Sequence, residues 1–190
     1  MLLGLTGGIG AGKSTALAAF ERLGCPTLSS DAIVHALYRE ADVRAAVVER
    51  FGPGVLGDDG EIARAAVAAR VFSDDIARRW LEQLLHPRVA TALERWRGEQ
   101  EAANPDALLI HEVPLLYEAG LADRYDGVVL ITAPDDVRRA RAPERFDERA
   151  AAQLPESDKV ALADHVYFND GSPGELERWV ADLVARLRTA

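Results

Sequence analysis

The chain has 190 residues, 48% of them apolar and 28% charged, and its formal net charge is −9. This composition is typical of a soluble globular protein and excludes a disordered chain. The acidic balance disfavours a nucleic acid as the main partner, because a duplex binder needs a basic face to displace counterions. No apolar run approaches the ~20 residues that span a bilayer. We therefore expect a cytoplasmic enzyme that has no membrane partner. We expect it to be a monomer, with a higher oligomer as the alternative.

A short apolar segment over 2–6 opens the chain and predicts a buried parallel strand, and a glycine-rich loop follows it directly. Residues 7–15 read Gly-Gly-Ile-Gly-Ala-Gly-Lys-Ser-Thr, which fits the Gly-x-x-x-x-Gly-Lys-Ser pattern of a phosphate-binding loop. In this pattern the backbone N–H groups turn inward around an anion, and the next helix adds its partial positive charge. The predicted nucleoside triphosphate site comprises Gly8, Ile9, Gly10, Ala11, Gly12, Lys13, Ser14 and Thr15.

Two side chains of this loop have specific predicted roles. Lys13 reaches the outer phosphates, and the Ser14 hydroxyl can ligate Mg²⁺. Lys13 is one of only two lysines among 22 basic residues, so arginine serves wherever a generic cation is enough. A compact ammonium suits a narrow phosphate cradle better than a planar guanidinium does. A plain glycine-rich turn between a strand and a helix is the alternative interpretation.

A helix over 13–23 and a second short strand over 26–29 lead to Asp31. Parallel strands present their carboxyl ends at one edge of a sheet, so we expect Asp31 at the same edge as the phosphate-binding loop. A kinase needs a carboxylate near the acceptor hydroxyl, to orient it and to accept its proton. A helix N-cap is the other interpretation, because Ser29, Ser30 and Asp31 are all good capping residues.

From 32 to 104 the sequence predicts helices and turns. Apolar side chains recur at helical spacing, and His86-Pro87 predicts a break between two helices, because proline fits a first helical turn and not a later one. Some seventy residues without a strand are too many for a simple crossover. We therefore predict that 32–104 form an all-helical insert, whereas 1–31 and 105–190 form the core.

The core resumes with apolar strands over 107–112 and 127–132 and a last short strand over 165–168, and an amphipathic helix over 175–187 closes the chain. Strands that alternate with helices predict an α/β fold with a parallel sheet. The expected architecture is a P-loop NTPase-type sheet of about five strands flanked by helices, with ligands at the carboxyl ends of the strands.

Charged residues follow the third and fourth strands. Glu112 ends the third strand, where P-loop enzymes hold Mg²⁺ or its water with an acid, although a solvated carboxylate also fits this position. His111 is expected to be structural, because strand alternation points it away from Glu112. An arginine cluster follows the fourth strand, and we expect one or two of its members to touch phosphate, while the others pair with acids on a solvated helix face. The cluster comprises Arg138, Arg139, Arg141, Arg145 and Arg149.

An ordered set of five motifs resembles the dephospho-CoA kinase family and covers nearly the whole chain. The resemblance implies transfer of the ATP γ-phosphoryl group to the ribose 3′-hydroxyl of dephospho-CoA, with Mg²⁺, a helical substrate-binding insert and a mobile lid at about 138–153. The motifs are Leu5-Thr6-Gly7-Gly8-Ile9-Gly10 running into Gly12-Lys13-Ser14-Thr15; Asp31 soon after Gly24; Leu85-His86-Pro87; Val113-Pro114-Leu115-Leu116-Tyr117-Glu118; and Gln153-Leu154-Pro155 with Lys159, Ala163-Asp164 and Asn169-Asp170-Gly171.

The resemblance also implies residue roles on the acceptor side. Asp31 would be the base or the orienting carboxylate, and His86, Pro114 and Leu115 would contact dephospho-CoA. Ser29 departs from the family, which commonly has a second aspartate at this position. An auxiliary metal role there is therefore not expected from this sequence.

On the nucleotide side, the resemblance implies that Asn169 lies near the adenine and that Arg138 contacts ATP. Arg141 is the favoured catalytic arginine of the lid, with Arg138 and Arg145 behind it. The segment from 138 to 153 is several residues shorter than the usual helix pair of the lid, and His35 replaces a frequent arginine.

Two other functions remain alternatives. Another small P-loop kinase, acting on a nucleoside, a nucleoside monophosphate or a sugar acid, would share the loop and the sheet and differ in the insert. A nucleotide-dependent switch would order loops around the γ-phosphate. A GTP-binding switch normally carries an Asn-Lys-x-Asp element, and neither lysine of this chain follows an asparagine.

Overall fold

The computed structural model describes residues 1–72, 74–144 and 146–189, without the side chains of Glu148 and Arg149. Within these residues, five parallel strands form one sheet in the order β2-β3-β1-β4-β5. This sheet confirms the predicted α/β fold. The strands are Leu2–Thr6 (β1), Thr27–Ser29 (β2), Leu109–Glu112 (β3), Gly127–Thr132 (β4) and His165–Phe168 (β5).

Helices connect the strands, and short 3₁₀ turns lie at Pro53–Val55 and Ala122–Arg124. None of the helices described here combines the length and the apolar character needed to cross a membrane. The α-helices are Lys13–Arg22 (α1), Ser30–Leu37 (α2), Ala41–Phe51 (α3), Arg64–Val71 (α4), Asp75–Ala103 (α5), Asp135–Arg141 (α6), Phe146–Ala151 (α7), Glu156–Leu162 (α8) and Pro173–Leu187 (α9).

The core lies between the sheet and the helix pair α1 and α9. Every residue of β1 is buried, and Phe20 of α1 and Leu183 of α9 are fully buried in the same apolar cluster as Ile131 of β4. Each such side chain contributes roughly 1.5–3 kcal/mol when it leaves water. This packing holds β1 and α1 on either side of the glycine loop, and therefore fixes both ends of that loop.

The chain divides into two compact units. One unit contains Met1–Ser29 together with the chain from Gln100 onward, and it holds the sheet. The other unit contains Ser30–Glu99. The regular structure described in this second unit is helical, apart from a single antiparallel β-bridge between Leu56 and Ile62.

The predicted break at His86-Pro87 is wrong, because α5 runs without interruption through Pro87. A proline inside a helix removes one backbone donor and leaves carbonyls of the preceding turn without their usual partner. The Arg88 guanidinium donates to the carbonyl oxygen of Leu84 at 2.8 Å in this turn, and the same guanidinium bonds to Asp42 of α3 at 2.9 Å. Side-chain donors and packing against α3 thus accommodate the proline.

Candidate active site

The glycine loop joins β1 to α1 with backbone angles that only glycine adopts easily. Gly10 has φ +73° and Gly12 has φ +105°. A Cβ atom at Gly10 would meet the backbone carbonyl oxygen of Arg138, and one at Gly12 would meet the side-chain nitrogen of Asn169. Both positions therefore require glycine for conformation and for space.

The N-terminus of α1 follows this loop. Gly12 is its N-cap and, among the described residues, neither a side-chain cap nor an acidic residue in the first turn is present. Ser14 and Thr15 are exposed in that turn. A helix N-terminus whose N–H groups have no side-chain acceptor favours a bound anion.

Lys13 folds back over the loop from the first position of α1. Its Nζ donates to the carbonyl oxygens of Gly7 at 2.9 Å and Gly8 at 3.1 Å. The ammonium is therefore held at the end of the loop that adjoins β1. This is the geometry expected of a lysine that reaches the outer phosphates of a nucleotide.

Glu112 lies at the carboxyl end of β3, in register with Leu5 of β1 and Ser29 of β2. The Ser29 hydroxyl donates to Glu112 Oε2 at 2.8 Å. The hydroxyl that replaces the family's usual aspartate thus orients the neighbouring acid, and it adds no second carboxylate. Carboxylate and hydroxyl oxygens are the hard donors that Mg²⁺ prefers, so Glu112 and Ser14 have the right chemistry for this ion.

His111, expected to be structural, is 2% exposed in β3. Its Nδ1 lies 2.8 Å from the hydroxyl oxygen of Tyr125. Burial lowers the pKa of the imidazole to about 4. The ring is therefore neutral at physiological pH and offers no positive charge to a bound anion.

Arg138, predicted to contact ATP, is buried beside Gly8. Its guanidinium pairs with Asp135 at 2.6 Å and with Glu156 at 3.7 Å. Glu156 also pairs with the buried Lys159 at 2.7 Å. Glu156 also accepts a hydrogen bond from the Thr132 hydroxyl at 2.5 Å.

We call Arg138, Glu156, Lys159 and Thr132 the Glu156 cluster. A Cβ atom on Gly8 would meet the Arg138 guanidinium, so this cluster lies directly against the glycine loop. Sequence reasoning missed Glu156. The sequence feature that could have pointed to this acid is the nearby Lys159, one of only two lysines in a chain that otherwise uses arginine.

Arg141 and Asn169 lie at a cavity of about 120 Å³ beside the helix end of the loop. The Asn169 side chain donates to the carbonyl oxygen of Ala11 at 2.8 Å, and Arg141 donates to the carbonyl oxygen of Asn169 at 3.0 Å. The cavity is lined by Gly12, Thr15, Arg141, Asn169, Gly171, Pro173 and Leu176.

The segment after β3 carries Pro114 and Leu115. The backbone N–H of Val113 donates to the carbonyl oxygen of Leu5 at 2.9 Å, which keeps the start of this segment beside β1. Gln153, for which no individual role was predicted, donates to the carbonyl oxygen of Pro114 at 3.2 Å. The Leu115 side chain is 42% exposed.

Asp31 and His86 belong to the helical unit. Asp31 is the second residue of α2, its side chain is 66% exposed, and its Oδ1 lies 3.4 Å from the guanidinium of Arg64. His86 is exposed on α5. Along the chain, Asp31 follows the last residue of β2 by two positions.

The remaining arginines of the predicted cluster differ in what the structure describes. Arg139 forms a two-pronged ion pair with Asp147 of α7 at 2.7 and 2.9 Å, and both side chains are exposed to solvent. Arg145 lies outside the described residues. The side chain of Arg149 does so as well.

The fold and the loop together define the class of protein. A parallel sheet whose first strand runs through a Gly-x-x-x-x-Gly-Lys-Ser loop into a helix is the arrangement of P-loop kinases. The structure of TT1252 from Thermus thermophilus is similar, with 34% identity, a TM-score of 0.81 and coverage of 98% of this chain and 97% of that chain. A dephospho-CoA kinase from Campylobacter jejuni shares the fold at 20% identity, with a TM-score of 0.69 and coverage of 100% and 98%.

The chain belongs to the dephospho-CoA kinase family. The family model for dephospho-CoA kinase matches residues 1–175. A dephospho-CoA kinase from Anaeromyxobacter dehalogenans is 42% identical over 194 residues, which cover 96% of this chain and 92% of that relative. The family resemblance stated from the five motifs is confirmed.

Proposed function

We propose that this chain transfers the γ-phosphoryl group of ATP to the ribose 3′-hydroxyl of dephospho-CoA, giving coenzyme A and ADP. The observation that carries the proposal is the phosphate cradle, with Lys13 at one end and the uncapped N-terminus of α1 at the other, in a member of this family. The acceptor comes from the family, because the cradle alone would serve any P-loop kinase.

The cradle and its neighbours divide the work of ATP binding. The N–H groups of residues 8–15 surround the phosphates, and Lys13 moves from its two carbonyl partners to the outer phosphates. Asn169 lies on the adenine side, at the cavity beside Gly12. Arg141 lines the same cavity and is the catalytic arginine of the lid in this proposal, where its charge would offset charge on the transferring group. A guanidinium at this place can also stack on a base. The guanidinium of Arg138, which was predicted to contact ATP, is buried in ion pairs. We therefore propose that Arg138 supports the phosphates indirectly, by its position against Gly8 of the loop.

Phosphoryl transfer here is a matter of position and charge. Asp31 orients the acceptor hydroxyl and accepts its proton, and its exposed carboxylate is available for that contact. Pro114, Leu115 and His86 are proposed to contact dephospho-CoA. Ser14 and Glu112 would hold Mg²⁺, which when bound neutralises charge on the phosphates.

The division of labour between the segments is part of the same proposal. Residues 32–104 bind the acceptor, and 138–153 form a short lid over the nucleotide. The helical unit Ser30–Glu99 and the α6–α7 pair supply segments of the right kind for these roles. We further propose that the enzyme acts in the cytoplasm as a monomer, with no nucleic acid or membrane as a partner.

The test of this function is Mg²⁺-dependent ADP release by the purified protein, measured with ATP and a panel of acceptors. The panel contains dephospho-CoA, adenosine, AMP, CMP, shikimate and gluconate, together with a reaction without acceptor. We expect strong release with dephospho-CoA alone, and coenzyme A as the product. Strong release with another acceptor would keep the P-loop kinase and reject the proposed substrate.

Asp31→Ala tests the acceptor side. General-base catalysis contributes about 10²–10⁴-fold, so turnover should fall by about 100-fold or more. ADP affinity should stay within about twofold, because the phosphate cradle is untouched. Asp42→Ala is the matched control, since its carboxylate is 65% exposed and also pairs with an arginine. Near wild-type turnover of Asp31→Ala would remove this carboxylate from the mechanism.

A further inference from the structure

The side chain of Gln153 bridges the glycine loop and the segment after β3. Its Oε1 accepts a hydrogen bond from the backbone N–H of Ile9 at 3.3 Å. Its Nε2 donates to the carbonyl oxygens of Pro114 at 3.2 Å and Gly7 at 3.5 Å. This half-buried side chain thus links the part of the glycine loop next to β1 to the segment that follows β3.

The next residue strengthens this attachment. The backbone N–H of Leu154 donates to Glu118 Oε1 at 2.7 Å, so the turn at 153–154 is bonded to two points of the segment after β3. This turn is also where the α6–α7 segment returns to the core, just before α8.

The three contacts require an amide. One side of the group faces an N–H donor at Ile9, and the other faces the carbonyl oxygens of Gly7 and Pro114. An amide has an acceptor oxygen and a two-donor nitrogen, which matches this surrounding. A carboxylate has acceptors only, so one of its oxygens would face two carbonyl oxygens.

The bridged end of the loop is the one nearest the transferring group. Lys13 reaches the outer phosphates in this motif, and its Nζ lies at the carbonyl oxygens of Gly7 and Gly8. Gly7 O therefore receives two donors, the Lys13 ammonium and the Gln153 amide. When Lys13 turns towards a phosphate, the amide still holds this carbonyl and keeps the loop in place.

We propose that Gln153 is a positioning residue for phosphoryl transfer: it fixes the Gly7–Ile9 end of the cradle against the segment that carries Pro114. The backbone from Gly7 to Ile9 then keeps its position while Lys13 turns towards the γ-phosphate, which is the preorganisation that lowers a barrier of this kind. This role rests on the proposed kinase function. It predicts an effect on turnover that exceeds the effect on binding of ADP, which lacks the γ-phosphate.

The experiment compares Gln153→Ala, Gln153→Glu and the control Ser157→Ala, whose exposed hydroxyl bonds to Asp158. Loss of two or three neutral hydrogen bonds should lower kcat of Gln153→Ala about 10- to 100-fold. The Kd for ADP, measured by calorimetry, should change by less than about twofold, since the helix end of the loop is intact. The control should match the wild type in both measurements.

Gln153→Glu tests the requirement for an amide. A carboxylate keeps an acceptor for the Ile9 N–H but has no donor for the carbonyl oxygens of Gly7 and Pro114. The Ile9 N–H and the Lys13 ammonium on the Gly7 carbonyl favour the ionised form of the introduced acid, so protonation does not restore the missing donor at neutral pH. The kcat of this variant should therefore fall about 10-fold or more, although its side chain has nearly the same shape as that of glutamine.

Three results would overturn the proposal: kcat of Gln153→Ala within about twofold of wild type, an equal loss of kcat and ADP affinity in Gln153→Ala, or kcat of Gln153→Glu within about twofold of wild type. Failure of the proposed function is a separate outcome, seen in the wild type as absence of turnover with dephospho-CoA. The Gln153 role is then decided by the ratio of ADP to ATP dissociation constants. This ratio should fall about fivefold in Gln153→Ala, and an unchanged ratio would reject the role.

Discussion

Replacing His111 by asparagine should make the core less sensitive to acid. Burial in β3 lowers the pKa of the imidazole from 6.5 to about 4. Between these values the unfolded chain binds a proton that the folded chain excludes, so stability falls as the pH falls through this window and is unaffected above it. With these two pKa values, the loss from pH 7 to pH 5 is about 2 kcal/mol, and it approaches about 3 kcal/mol near pH 4.

The measurement is the free energy of unfolding in urea at pH 7, 6 and 5 for wild type, His111→Asn and His35→Asn. Asparagine keeps a polar atom for the Tyr125 hydroxyl, and His35 is exposed on α2, so its replacement serves as the control. Other acids titrate alike in all three proteins and cancel in the comparison. Between pH 7 and pH 5, His111→Asn should lose about 2 kcal/mol less than the other two proteins. An equal loss in all three would show that His111 does not exclude a proton.

Three further predictions concern the loop and its surroundings. Gly12→Ala should lower the free energy of unfolding by about 1–3 kcal/mol and weaken ADP binding in calorimetry, because φ is +105° and a Cβ would displace the Asn169 amide beside it. The control is Gly98→Ala in α5, where the space around the residue is open. This change should raise the free energy of unfolding in urea by about 0.5–1 kcal/mol. Glu156→Gln should cost about 3 kcal/mol in the same assay, because it leaves the buried ammonium of Lys159 without its acid, and adding Lys159→Met should recover part of this loss. Lys13→Ala should weaken ATP binding and turnover together, and unchanged turnover would contradict the cradle.

Local patterns predicted the sheet and the loop because both depend on features that are contiguous in the chain. The short apolar run that ends at Gly7 indicates a buried strand, and Gly12, Lys13 and Ser14 at their spacing indicate the loop that the structure contains. The order of the strands was not predicted, because it depends on how distant segments pair across the sheet.

The features that the sequence did not predict depend on contacts between distant segments. Gln153 reaches Ile9 across 144 positions, and a glutamine in a helix–turn segment gives no sign of such a partner. Pro87 stays inside α5, where the Arg88 guanidinium donates to the carbonyl oxygen of Leu84 and also pairs with Asp42, a residue 46 positions away along the chain. Local propensity is overruled in both cases by tertiary hydrogen bonds.

In a chain of net charge −9, an anion site needs positive potential close to the glycine loop. Arg138 and Lys159 lie near this loop, but Asp135 and Glu156 balance their charges, so these two cations add little positive potential at the cradle. Lys13 is held at the β1 end of the loop by the carbonyl oxygens of Gly7 and Gly8, and Arg141 lies at the other end, where it donates to the carbonyl oxygen of Asn169. The N-terminus of α1 adds a partial positive charge, and its described first turn contains no acidic residue that would offset this charge. The backbone of the loop and helix is therefore as important as the side-chain cations for attracting an anion to an acidic protein.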